Sequence, residues 1–184
     1  VAVTHFPCGT GNDFIKMFGE EKDRFFDLSD LVRGEVRPLD VMECCGRYAV
    51  NICSVGIDAR IGTEVHQYHD SYVLSAVANL FKGIAQPLTV RGCGMDYSGG
   101  TSLICACNGR FYGGGMMPTP GQNRLSPDGT VSTMVMFGAG KLETLMVFPS
   151  IFKGEHIRHK EMVAILTGHT ISVEFDRPTP IQID

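Results

Sequence analysis

The chain has 184 residues, 43% hydrophobic and 20% charged, with a formal net charge of −4. This composition excludes a disordered chain, a collagen-like repeat and a coiled coil, and the length supports a core without staples. No run of Lys or Arg stands out, so no nucleic-acid partner is expected. No apolar stretch approaches the roughly 20 residues of a membrane-crossing helix, and no signal peptide is recognisable.

The seven cysteines form no C-x-x-C pair. They read as small buried apolar residues in a reducing, cytoplasmic setting. The sequence opens on Val1 rather than Met, which reads as a piece of something longer. Twenty-two glycines and nine prolines suit short strands and turns.

In chain order, Val1–Val3 reads as the tail of a strand and Phe6–Asp13 (FPCGTGND) as a loop. A helix over Phe14–Phe18 is stopped by Gly19. A second helix covers Leu28–Arg33, capped by Asp27 or Ser29 and ended by Gly34. Val36–Cys44 and Arg47–Val55 read as strands around Cys45-Gly46. The strongest helical pattern is His69–Ile84, with Val73, Val77, Leu80, Phe81 and Ile84 in one stripe. Gln86–Arg91 and Ser102–Cys107 read as strands. The second is apolar on both faces and so central. Phe111–Gly129 is loop-rich, Val131–Phe137 is a strand, and Leu142–Phe148 is a helix ending near Pro149. Glu161–Thr167 and Ile171–Asp176 flank Gly168-His169 as a hairpin, and Ile181–Asp184 begins a last strand. The expected fold class is α+β, mostly β. Residues 1–38 read as α/β and 39–184 as a two-layer antiparallel β-sandwich with a few helices.

Three segments can carry chemistry, and each also has an ordinary structural reading. Gly9-Thr10-Gly11-Asn12-Asp13 precedes a helix, where free N–H groups can seat a phosphate. The same residues also suffice as a turn with Thr10 or Asn12 as N-cap. Asp40, in Pro38-Leu39-Asp40-Val41-Met42, can hold a metal-bound water or a cation, or can simply face water at an edge. Asp128, in Leu125-Ser126-Pro127-Asp128-Gly129-Thr130, can join carbonyls as an oxygen ligand for Mg²⁺, or belong to a plain P-D-G turn. The histidine pairs His66/His69 and His156/His159 match no zinc motif and read as surface or capping residues.

The order of these segments resembles the diacylglycerol kinase catalytic-domain family, which includes bacterial lipid kinases and the sphingosine and ceramide kinases. Pro7–Phe14 (PCGTGNDF) is similar to its P-x-G-T-x-N-D-F segment. Asp40 follows as an acid at a strand start. Asn51–Ile61 (NICSVGIDARI) resembles N-x-x-S-x-G-x-D-A-x-V. Asn108–Gly115 (NGRFYGGG) resembles N-G-x-x-x-G-G-G, and Pro127-Asp128-Gly129 resembles the D-G that opens the next strand. Ile181–Asp184 looks like the approach to the family's D-G-E.

The resemblance implies an ATP- and Mg²⁺-dependent transfer of phosphoryl to a lipid hydroxyl of diacylglycerol type. Residues 1–38 would be a remnant of the N-terminal nucleotide-binding domain, and 39–184 the C-terminal lipid-kinase domain. Gly9, Thr10 and Asn12 would meet the nucleotide, and Asp13 and Asp40 would join a magnesium-water network. Leu125 and Thr130 carbonyls and Asp128 would hold a structural Mg²⁺. The upstream G-G-D-G-T loop and the Glu of D-G-E, the family's general base, lie outside these 184 residues. The chain alone is therefore expected to be inactive. His66–Ile84 can line the lipid slot or simply pack on the core. Contact with a membrane, at its inner face, would be transient. Two other readings are a non-catalytic regulatory or assembly β-domain and an NAD kinase relative.

Overall fold

A computed structural model describes residues 2–56, 59, 86–125, 127–137, 140–176 and 178–184. The helix expected over 69–84, its lipid-slot role, His66 and His69 fall outside the described residues.

The N-terminal segment is built from short pieces. α1 (Asp13–Lys16) is a single turn. Gly19, at φ 58°, starts a 3₁₀ stretch, Gly19–Phe26. α2 (Leu28–Arg33) follows, with the Asp27 carboxylate accepting the Ser29 N–H at 2.7 Å and Gly34 at its end. Phe14, Phe18 and Phe25 stack in series, with ring centroids 6.0 and 4.7 Å apart. Ala2 and Val3, expected in a strand, lie in no strand and are exposed. From residue 2 to 41 only Pro7 and Ile15 are buried.

β1 (Met42–Cys44) and β2 (Arg47–Ala49) form a hairpin around Cys45-Gly46. Both turn residues have positive φ, 52° and 75°, as a tight twisted turn requires. The expected strand over 47–55 is broken. The Asp184 carboxylate takes the N–H groups of Val50, Asn51 and Ile52, so the ladder stops at Ala49. β3 (Ile52–Gly56) then enters a second, larger sheet.

Among the described residues that sheet has seven strands, all pairings antiparallel. It is completed by β4 (Gln86–Gly92), β5 (Met95–Cys107), β6 (Val131–Phe137), β7 (Val163–Gly168), β8 (Ser172–Phe175) and β9 (Ile181–Ile183). The main order is β7-β6-β5-β3-β9. β5 is central, as its two apolar faces imply, but longer than expected. Residues 95–101 pair with β4, 103–107 pair with β3, and the register against β6 shifts between Thr101 and Leu103. One bent strand thus serves both layers of a sandwich, the second layer being β5, β4 and β8.

The hairpin expected around Gly168-His169 does not form. β7 pairs with β6, whereas β8 pairs with β4. The chain crosses between layers there because Ile171, Val173 and Phe175 pack onto the apolar cluster of Val55, Leu88, Val90, Ile104, Val135 and Leu166. The opposite sheet face buries Leu103, Cys105, Cys107, Met134 and Met136. Tyr112, Met116, Val147 of α3 (Lys141–Val147) and Ile151 of the following 3₁₀ turn cover it. β5 alternates between the two clusters residue by residue, as the pleat demands.

Candidate active site

The glycine loop closes on itself. Gly9 donates its N–H to Asn12 Oδ1 at 3.1 Å, and Asn12 takes a left-handed conformation, φ 48°. Asn12 stands at the N-cap position, but its side chain turns back to Gly9 rather than capping α1. Thr10 is exposed at the tip. With α1 only four residues long, the helix dipole adds little, and any anion seat here belongs to the loop itself.

Asp13 joins this loop to the sandwich. Its Oδ1 pairs with Lys16 Nζ at 2.6 Å, and its Oδ2 accepts the Gly114 N–H at 2.7 Å. Gly114 lies in the triple-glycine turn after β5. Asp40 makes a parallel connection. Its Oδ2 accepts the Gly129 N–H at 2.8 Å, and its carbonyl accepts Asn108 Nδ2 at 2.5 Å. Asp40 is therefore half-buried and tied to the P-D-G turn, not a free edge residue. The two acids reach separate loops, one on 113–115 and the other on 127–129.

Asp128 is exposed. Its Oδ1 accepts both the N–H and the hydroxyl of Thr130, at 2.9 and 2.6 Å. Those bonds hold the carboxyl below its ordinary range. His169 Nδ1 lies 3.0 Å from the Gly129 carbonyl. A cavity of about 350 Å³ opens beside the turn, lined by Thr119, Gln122, Asp128, Thr130, Ser132 and Thr167. The donor set expected here, Asp128 with the carbonyls of Leu125 and Thr130, is all oxygen and fits a hard cation. The Thr130 carbonyl also accepts Gln122 Nε2 at 3.2 Å. Among the described residues no group of three or more His, Cys, Asp or Glu converges as a metal cluster. A cation would therefore rest on carbonyls and water as much as on carboxylates.

Between the loop and the sandwich lies a polar junction that sequence reasoning did not assign. Asn51 donates Nδ2 to the Phe111 carbonyl at 2.8 Å, and its Oδ1 accepts from Arg124 Nη2. The Asn51 carbonyl accepts the N–H groups of Asn108 and Gly109. Asn108 Nδ2 reaches the Val50 carbonyl as well as that of Asp40. Gly109 has no room for a side chain, because a Cβ would overlap Asn51 Oδ1 and Arg124 Nη2. Arg124 is 1% exposed and stacks on Phe14, its Cζ 4.7 Å from the ring centroid. Burial lowers its pKa to about 10, against the pull of Asp184. Asn51 and Asn108 stood in the quoted motifs without a role. Their signal was chemical: a buried carboxamide is costly unless its groups are satisfied. Arg124, in an irregular loop, gave no such signal.

Two smaller expectations are corrected. Cys53, Cys105 and Cys107 are buried, but Cys8, Cys45 and Cys93 are exposed. Burial, with Cys44 alongside, pushes the Cys53 thiol up to about 12. His156 is fully buried rather than at the surface, with Nε2 2.8 Å from the Pro118 carbonyl. His159 is half-buried, its Nδ1 3.5 Å from Glu161 Oε1.

Comparison with known proteins gives the family and the fold. The family model described as the YegS C-terminal NAD kinase beta sandwich-like domain matches residues 51–184. A Staphylococcus carnosus protein named "Putative lipid kinase" is 25% identical over 97% of this chain and 60% of its own length. A Staphylococcus aureus protein, "Putative lipid kinase SAR0780", is 26% identical over 97% of this chain and 64% of its own. The chain thus spans under two thirds of these relatives. Among solved structures, one described as a putative diacylglycerol kinase from Bacillus anthracis aligns with a TM-score of 0.70 and 18% identity. It covers 99% of this chain and 61% of that one. A second Bacillus anthracis structure, described as a diacylglycerol kinase, gives 0.60 and 18%, covering 97% and 57%. At these identities the structures speak for the fold.

Proposed function

Because the chain belongs to the family of the YegS C-terminal NAD kinase beta sandwich-like domain, we propose that the protein carrying it transfers the γ-phosphoryl group of ATP to a lipid hydroxyl of diacylglycerol type. The observation that carries this reading is the tethering of two acids. Asp13 binds the Gly114 amide and so holds the glycine loop against the sandwich with Thr10 open to solvent, while Asp40 binds the Gly129 amide of the P-D-G turn.

Phosphoryl transfer depends on positioning and charge neutralisation. Thr10 would donate its hydroxyl to nucleotide phosphate. Gly9 and Asn12, bonded to each other, would fix the loop that presents it. Asp13 and Asp40 would face a catalytic magnesium through water. Asp128, with the carbonyls of Leu125 and Thr130, would hold a second, structural one. Magnesium would supply neutralisation of the phosphate charge. Residues 1–38 would belong to a nucleotide-binding domain. Lipid would be met in brief contact with the membrane; among the described residues no helix is long and apolar enough to cross one.

The roles are separable in the full-length protein. Asp40→Asn should lower turnover on the order of a hundredfold, the scale of a lost charge-aligning group. Asp128→Asn should chiefly lower stability or raise the magnesium requirement. Equal, small effects on turnover would contradict the assignment. A second reading follows from the matched domain's NAD kinase-like description. Phosphate transfer to NAD, with none to lipid, would favour it.

A further inference from the structure

The junction contains a charge that the proposed chemistry does not use. Arg124 is almost wholly buried and keeps its proton at neutral pH, since burial lowers its pKa only to about 10. Its Nε and Nη1 have no hydrogen-bond partner among the described residues, and no carboxylate lies within ion-pair distance of it there. Among the described residues Nη2 alone is engaged, by Asn51. A buried, poorly partnered guanidinium is unfavourable for folding, so stability alone does not explain it. Its position does. One side rests on Phe14, the residue after Asp13. Another grips Asn51, whose N–H, with those of Val50 and Ile52, holds the Asp184 carboxylate. Gly109 is bare so that this grip can close.

We propose that Arg124 is a positioning residue that locks the glycine loop to the segment 50–52 that holds the Asp184 carboxylate, through Phe14 on one side and the Asn51 carboxamide on the other. The planar guanidinium can stack and donate in its own plane at once, which a lysine ammonium cannot. The lock keeps the nucleotide end and the acceptor end of the site in one register. Its consequence for turnover rests on the kinase reading above; its structural consequence does not.

The test uses the full-length protein with Arg124→Met and Arg124→Lys. Arg124→Met keeps the bulk and removes the charge, so its melting temperature should equal or exceed wild type. Amide exchange should nevertheless quicken together in residues 9–14 and 50–52. Turnover on lipid should fall at least about tenfold with KM for ATP changed less than about threefold, the signature of lost alignment. Arg124→Lys should recover little of either. Faster exchange confined to 122–125, or a destabilised Arg124→Met with unchanged turnover, would overturn the proposal. A wild-type protein silent towards every lipid would sink the kinase reading. The exchange and melting results would still decide the role of Arg124.

Discussion

Residues 2–41 and the sandwich are held by different forces. The sandwich has two apolar clusters sharing β5, and its side chains are buried in alternation on both faces. The N-terminal segment buries Pro7 and Ile15 and leaves Val3, Val32 and Val36 at least three-quarters exposed. It is fastened by discrete polar contacts: Asp13 to Gly114, Asp40 to Gly129 and Asn108, and Phe14 over Arg124. Hydrophobic burial is broad and tolerant of direction, whereas hydrogen bonds fix orientation. The N-terminal segment is fixed chiefly by the second kind of contact, the sandwich by the first.

The contrast breaks most readily in the core. Met134 is 0% exposed, so Met134→Ala should cost about 2–5 kcal/mol in a denaturant titration of the full-length protein. A loss under about 1 kcal/mol would mean that the sheet face is less tightly packed than described. At the junction, Gly109→Ala forces Asn51 and Arg124 apart and should cost about 1–3 kcal/mol. It should also loosen residues 9–14 in hydrogen exchange, which Met134→Ala should not do short of global unfolding.

A pH effect sharpens the comparison from the sandwich side. Burial holds the His156 imidazole below its ordinary pKa of 6.5. Above that value both folded and unfolded forms are neutral, and the residue is indifferent to pH. As pH falls below 6.5, the unfolded chain takes the proton first and stability drops, until the folded pKa is passed. Melting temperatures at pH 7.5 and 5.5 should differ more for wild type than for His156→Gln. An equal difference would contradict the assignment. The smallest stability effect is expected at Thr10, which is exposed. Thr10→Ala should shift unfolding by less than about 0.5 kcal/mol, yet cut turnover by about tenfold to a hundredfold.

Periodicity made the sandwich legible. Val131–Phe137 and Leu28–Arg33 appear with the boundaries their patterns imply, and the central place of β5 follows from its two apolar faces. Pairing partners were not legible. Gly168-His169 looks like a hairpin turn, but which cluster Ile171, Val173 and Phe175 join is decided by tertiary packing. The early end of β2 was equally hidden, because Asp184 intercepts its amides from more than 130 residues away. In the candidate site, the glycine loop and the acids could be named from their spelling and order. Their tethers could not, because the Gly114 and Gly129 amides and Arg124 lie in loops without period.

The most direct measurement is labelled-phosphate transfer from [γ-³²P]ATP by the full-length protein to diacylglycerol in mixed micelles, with NAD as a parallel acceptor. Magnesium-dependent labelling of the lipid, greatly reduced by Asp40→Asn, is the expected result. Labelled NADP with no labelled lipid, or lipid labelling indifferent to Asp40→Asn, would contradict it.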